Sequence, residues 1–284
     1  MISLAPALLP LVAALVLSGP APASKPAPQA AASAAAAHPE RRASAAAPAP
    51  REAAAGRTAA VPHLPGEQMD FAISFGFLKA GAARISVGRR EGALLPVFLE
   101  ARTSGLVGLV KLRQHLVSNL DTATGLPRTS RLDGVEPSYR HTDTASFDRG
   151  GGVATVREVG RFDNTYRIEV PADTLDFVAL VFQLRTLPLP DGASHEFQVL
   201  AGRTVSKVVA TVEGREEVQT PAGDFQAVKV RVPTGLTGKF SEKSPTFIWF
   251  SDDARRVVVR ISTDFAVGRA NALLERYAPG REAT

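Results

Sequence analysis

His141 and Asp143 stand two residues apart in the alternating stretch Tyr139–Phe147, so on a β-strand both side chains point to one face. Together they could act as two metal ligands, or as a base and the carboxylate that orients it. The competing reading is a solvated strand face, because polar residues on strands are usually just exposed. Asp252-Asp253 is a second acidic pair, suited to calcium or acid chemistry. Adjacent residues of a strand point to opposite faces, however. In the polar loop Ser251–Arg256 the two carboxylates fit better as acceptors for turn N–H groups. Glu216-Glu217 is a similar pair close to a turn.

Other chemistries are excluded outright. The 284 residues contain no cysteine, which removes disulfides, thiolate metal sites, iron–sulfur ligation and cysteine nucleophiles. The motifs Gly-x-Ser-x-Gly, Gly-x-x-x-x-Gly-Lys-Ser/Thr and His-Glu-x-x-His are absent. Gly150-Gly151-Gly152 joins two strands, so no helix N-terminus follows it to receive a phosphate. His115, His141 and His195 are too scattered for a transition-metal set. No catalytic, cofactor or metal residue is therefore assigned, and the expectation is a protein that is not an enzyme.

The stretch Gly105-Leu106-Val107-Gly108-Leu109-Val110, followed by Lys111-Leu112-Arg113, shows no β-alternation. As a lip, Leu106, Val107, Leu109 and Val110 would contact acyl chains while Lys111 and Arg113 met anionic headgroups. As core, it would be a short helix plugging a barrel. Phe177 and Val181, on an apolar segment further along, complete the candidate apolar lining.

The elements that must position these residues are mostly strands. Phe71, Ile73 and Phe75 alternate with Ala72, Ser74 and Gly76, and Ala83, Ile85 and Val87 alternate with Arg84, Ser86 and Gly88. Leu78-Lys79-Ala80-Gly81 is the expected turn between them. Further strands are expected at 96–103, 114–121, 127–135, 139–147, 153–159, 166–170, 196–200, 205–212, 225–232, 246–250, 257–262 and 269–277. Turn residues separate them.

One segment, 173–187, changes to helical spacing, with Leu175, Val178, Ala179 and Phe182 in phase and Asp173 as the expected N-cap. It is apolar on nearly all sides, so it should be buried on more than one face. The fold class is mainly β: one large antiparallel sheet, barrel-like or strongly curved, with one main buried helix.

Residues 1–23 have the form of a signal peptide. An apolar run from Leu4 to Leu17, too short to span a bilayer, is followed by small residues up to Ala23. No Lys or Arg precedes that run, which is atypical. Residues 24–66 hold 18 Ala and 7 Pro in 43 positions, a composition that forms a tether rather than a core. The formal charge of +5 divides unevenly, with +3 on residues 1–66 and +2 on residues 67–284. Arg89-Arg90, Arg140 and Arg255-Arg256 stand apart without aromatic interleaving, so no nucleic-acid partner is expected. The mature chain is expected to be exported, to the periplasm or cell envelope, with no transmembrane segment.

Three phrases in the second half carry a resemblance. They are Thr220-Pro221-Ala222-Gly223-Asp224-Phe225-Gln226-Ala227-Val228-Lys229-Val230, then Ile248-Trp249-Phe250-Ser251-Asp252-Asp253-Ala254-Arg255-Arg256-Val257-Val258-Val259-Arg260, and the stretch 176–189 ending Leu-Arg-Thr-Leu-Pro-Leu. With the opening hairpin they resemble the bacterial exported-protein family catalogued as domain of unknown function 3108, over roughly residues 68–278. The resemblance implies an envelope location and a β-rich fold, and brings no activity with it. Val258 stands where the family pattern leads us to expect proline.

Two readings of function stay open at this point. One is an envelope protein that binds a lipid or other apolar ligand in a barrel-like cavity. The other is a structural module that docks on an envelope protein or polysaccharide.

Overall fold

The computed structural model describes residues 63–104, 112–136, 139–233, 245–265 and 268–281, with backbone only at 264, 265 and 268. The leader, most of the tether, and Leu106, Val107, Leu109, Val110 and Lys111 lie outside them. All described residues fall in one compact unit; a second, 21–58, is wholly outside. Residues 63–66, assigned to the tether by composition, are packed onto the fold. His63 is buried with Nε2 3.2 Å from the Phe182 carbonyl, and Gly66 N–H donates to Val87 O at 2.8 Å.

Among the described residues fourteen strands form one antiparallel sheet. In chain order they are β1 Gln68–Phe75, β2 Leu78–Val87, β3 Leu94–Thr103, β4 Arg113–Asp121, β5 Pro127–Glu136, β6 Tyr139–Asp148, β7 Val153–Val159 and β8 Asp163–Glu169. After the helix come β9 Ser194–Ala201, β10 Thr204–Thr220, β11 Gly223–Val232, β12 Thr246–Ser251, β13 Val258–Phe265 and β14 Gly268–Ala278. The spatial order is β8-β7-β6-β5-β4-β3-β2-β1-β14-β13-β12-β11-β10-β9. Two meanders therefore meet where β1 pairs with β14, in a register running from Gln68↔Ala278 to Phe75↔Ala270.

The free edges, β8 and β9, belong to the two ends of the sheet. They are brought together without pairing, because Phe147, Ala154, Val156 and Leu200 form one apolar cluster with Ile168 and Val205 against it. Arg203, in the β9–β10 turn, reaches across with Nε 3.4 Å from a Glu158 oxygen and its guanidinium over the Tyr166 ring. The sheet is curled into a barrel-like wrap whose seam is made by side chains.

The helix α1, Phe177–Thr186, connects the two edges. Its residues 177–185 are all buried, so it fills space inside the sheet rather than covering a face of it. Asp176, not Asp173, is its N-cap: the carboxylate accepts from Ala179 N–H at 2.7 Å and from Ser118 Oγ–H at 2.6 Å. The helix starts late because Leu175 is held extended by the free edge of β9. Its N–H donates to Gln198 O and its carbonyl accepts from Leu200 N–H, both at 2.8 Å. Among the described residues no helix is long and apolar enough to cross a membrane.

Removing this cap has a definite expected cost. Asp176→Ala loses the cap and strands the Ser118 hydroxyl, for about 1–3 kcal/mol. Asp176→Asn keeps an acceptor and should stay within about 1 kcal/mol of wild type. Urea midpoints measure both, and equal losses in the two variants would contradict the capping role.

Candidate functional site

Register, not sequence proximity, assembles an extended polar feature. Reading across the sheet, Arg276 of β14 stands opposite Asp70 of β1, Asp70 opposite Arg84 of β2, and Arg84 opposite Glu100 of β3. Glu100 then faces His115 of β4, and His115 faces Asp133 of β5. The row crosses six strands on one face. It is the face turned away from α1, since Ser118, which bonds to the helix cap, is three residues from His115 on the same strand.

Most of these charges are satisfied in place. Asp70 accepts from Arg84 Nε at 2.5 Å and Arg276 Nε at 2.9 Å. Burial alone would raise the Asp70 carboxyl, and the hydrogen bonds from Arg84, Arg276 and Gln68 overcome it and hold it below its usual range. Asp133 is held low chiefly by Arg131, both of its oxygens taking guanidinium bonds at 2.8 Å, with Thr142 Oγ adding a third at 2.6 Å. His115 Nε2 lies 3.8 Å from Glu100.

One step along the strands the pattern changes. Arg102 of β3 and Arg113 of β4 stand directly opposite each other. Both are exposed, and neither has an ion-pair or hydrogen-bond partner among the described residues. These two arginines, the charged row and small residues such as Ala82 and Ala101 line a groove of about 860 Å³. Gln114 also borders it, but it shares the parity of Ser118, so its buried side chain, whose Oε1 has no hydrogen-bond partner among the described residues, lies on the helix side of the sheet.

The residues singled out from sequence are distributed differently. Arg113 lines this groove, and Leu112 is buried with its N–H on Thr103 Oγ at 3.0 Å. Val181 lies in the packed core. Phe177 lines a separate interior cavity of about 50 Å³, beside Asp143, Glu158 and Asp176. That space suits a few waters and is far too small for an acyl chain.

His141 is not on a solvated face. It is buried, stacked on Tyr139 at 5.3 Å, and its ring occupies the place a Cβ would need on Gly134, its cross-strand neighbour. Its Nε2 is 3.8 Å from Asp143, beyond hydrogen-bond reach. Asp143 faces Glu158 across β6 and β7, and burial, then Glu158, then Asp133, push its carboxyl up to about 7. Among the described residues no group of three or more side chains is suited to a metal ion.

Asp252 and Asp253 serve the loop that holds them. Asp253 accepts from Ser251 Oγ, Arg255 N–H and Arg256 N–H at 2.8–3.2 Å, and Asp252 pairs with Arg215 and Arg256. Glu216 accepts from Trp249 Nε1 at 2.6 Å.

This fold and these motifs coincide with a known grouping of sequences. The profile of the family described as protein of unknown function DUF3108 matches residues 70–275. The chain belongs to DUF3108. The match takes in every strand that contributes to the charged row except the end of β14 that carries Arg276.

Among solved structures, this DUF3108 chain is similar to a beta-barrel-like protein of DUF1849 from Brucella abortus. The identity is 8%, the TM-score 0.53, and the alignment covers 77% of this chain and 99% of the other. That likeness is one of fold. A protein described as exported with a YmcC-like fold, from Bacteroides fragilis, aligns at 11% identity and TM-score 0.33 over 76% of this chain and 97% of its own. A protein described as a lipoprotein, from Parabacteroides distasonis, aligns at 9% and 0.29 over 76% and 97%. No curated protein matches the chain.

The groove residues escaped sequence reading because they are spread over strands from 70 to 276. The available signal was parity: Arg84, Glu100, Arg102, Arg113, His115 and Asp133 all occupy the polar phase of their alternating strands.

Proposed function

We propose that this DUF3108 protein is an exported, non-enzymatic binding protein of the cell envelope. Its ligand is a lipid or similar amphipathic molecule, held in the groove across β1–β5 and β14 rather than inside the wrap. The observation that carries this reading is the groove itself. Its volume of about 860 Å³ lies within the usual range for ligand pockets, roughly 300–1,000 Å³, and apolar side chains line it beside the charges. The interior beside α1 has its helix buried on every side.

The leader-like residues 1–23 and the Ala/Pro tract after them support export. The groove carboxylates Asp70 and Asp133 are held in their charged form by arginines, which suits fixed recognition and is opposite to the tuning of a general acid.

The test uses the full chain expressed with its own leader. Cell fractionation should place it in the envelope, with the mature N-terminus at Ser24. Delipidated protein should take up a fluorescent fatty acid, and Ala82→Trp, which fills the groove, should weaken uptake by about tenfold or more. Cytoplasmic retention would refute export. Probe uptake by neither wild type nor any variant would refute the ligand reading and favour a docking module, for which Phe77 and Phe162, 96% and 76% exposed, are available apolar contacts.

A further inference from the structure

We propose that Arg102 and Arg113 form a two-pronged site for the phosphate group of a phosphate monoester, set at one side of the groove. This deepens the preceding reading by naming the headgroup chemistry, and it rests on the groove being the ligand site.

Four observations support it. Arg102 and Arg113 are a direct cross-strand pair, so their guanidinium groups leave the sheet side by side on one face. Like charges placed opposite each other in a sheet repel, and the fold tolerates this pair where opposite charges fill the neighbouring row. Of the acids lining the groove, Asp70 is engaged by Arg84 and Arg276 and Asp133 by Arg131 and Thr142, while Glu100 stands opposite His115 and Glu275 lies on β14, three strands away from β3. Both arginines line the groove and have no partner among the described residues.

Two adjacent guanidinium forks present several N–H donors in fixed planes, which suits a dianionic, three-oxygen group better than a carboxylate.

Phosphate monoester chemistry has two sources, a lipid and a soluble metabolite. Dihexanoyl phosphatidic acid and glycerol 3-phosphate share the headgroup and differ in the acyl chains, so they separate the two. Isothermal titration of the delipidated full chain should show saturable binding of at least one of them. Arg102→Gln and Arg113→Gln should each lower affinity tenfold or more, and Arg102→Lys should fall between. Arg157→Gln, which removes an exposed charge on β7, controls for net charge and should change nothing.

Binding of the lipid alone assigns a lipid headgroup; comparable binding of both assigns a soluble phosphate ester. Thermal melts of the apo variants guard against misfolding, since relieving the repulsion should leave them at least as stable as wild type. If wild type and the two glutamine variants take up dihexanoyl phosphatidic acid and the fluorescent fatty acid equally, the phosphate site is wrong while the groove reading stands. If the fatty acid binds and neither phosphate compound does at millimolar concentration, the phosphate site is likewise wrong. If nothing binds, both readings fail.

Discussion

Arg185→Met is expected to lower the free energy of unfolding by about 3–5 kcal/mol, because it leaves the Glu67 carboxylate buried without its counter-charge. Arg185 and Glu67 are 0% and 4% exposed in their side chains. The guanidinium grips both carboxylate oxygens, at 2.9 and 2.6 Å, and donates also to the Arg256 and Arg255 carbonyls at 2.9 and 3.0 Å. Tyr277 O–H donates to the same carboxylate at 3.2 Å, and burial, then Glu67, raise that phenol to about 12. His63, packed on Phe182, is held neutral by burial and by Arg185, its pKa well below the ordinary value.

Four separate chain segments converge here: the residues before β1, the end of α1, the β12–β13 loop and β14. The site ties the buried helix to the sheet. Total stabilities of about 5–15 kcal/mol make the single substitution a loss of a third or more. The double variant Glu67→Leu, Arg185→Met removes both charges and should recover most of that loss. Urea unfolding of the three proteins provides the measurement. A single variant within 1 kcal/mol of wild type would contradict the clamp.

Asp143→Asn is expected to stabilise the protein at pH 8 and to leave it nearly unchanged at pH 4. Asp143 has a folded pKa of about 7 against 3.8 for the free side chain. Between those values the folded protein keeps a proton that the unfolded chain has released. Stability is therefore fully present below pH 4, falls as pH rises toward 7, and is flat above. Glu158 from β7 and Asp133 from β5 oppose the charged form, and Asp176 at the start of α1 lines the same cavity, its own carboxyl also raised by burial. His141 stands 3.8 Å from Asp143, and Arg203 pairs with Glu158.

The pKa difference corresponds to at most about 4 kcal/mol, and partial solvent contact brings the expected gain to about 2–3 kcal/mol at pH 8. Melting temperatures at pH 4 and pH 8 decide it. A variant no more stable than wild type at pH 8 would mean that Asp143 ionises there without cost.

The alternation that makes strands was legible residue by residue, and most strand limits lie within two positions of those expected. What went astray depended on distant partners. The first hairpin turns at Gly76-Phe77 rather than at Leu78–Gly81, with Gly76 adopting φ 56°. Gly81 instead lies inside β2, where a Cβ would strike the Arg102 backbone. The strand expected to stop at Val212 runs on to Thr220 as β10, because Gly214, at φ 141°, absorbs a bulge and lets pairing with β11 continue.

The start of α1 moved from Asp173 to Asp176 because β9 holds Leu175, a contact that no local pattern encodes. His141 looked solvated because its polarity matched that of its neighbours, while the space reserved for it by Gly134 on β5 is visible only in register. The groove was hidden for the same reason: each of its charges is ordinary in its own strand and becomes a feature only when six strands are laid side by side.

The pairing of β1 with β14 has a consequence for how the molecule is made. A ribosome delivers β1 first and β14 last, some two hundred residues later. The strand at the middle of the finished sheet therefore waits through nearly the whole of synthesis with one row of its backbone amides and carbonyls unmatched. Its sequence through that interval, Met69 to Phe75, is mostly apolar, the kind of open edge that recruits other chains. Closure of the longest loop comes at the end, which makes for slow folding and a long window for aggregation. In such a chain the pairing of β14 with β1 is the step at which yield, rather than final stability, is decided.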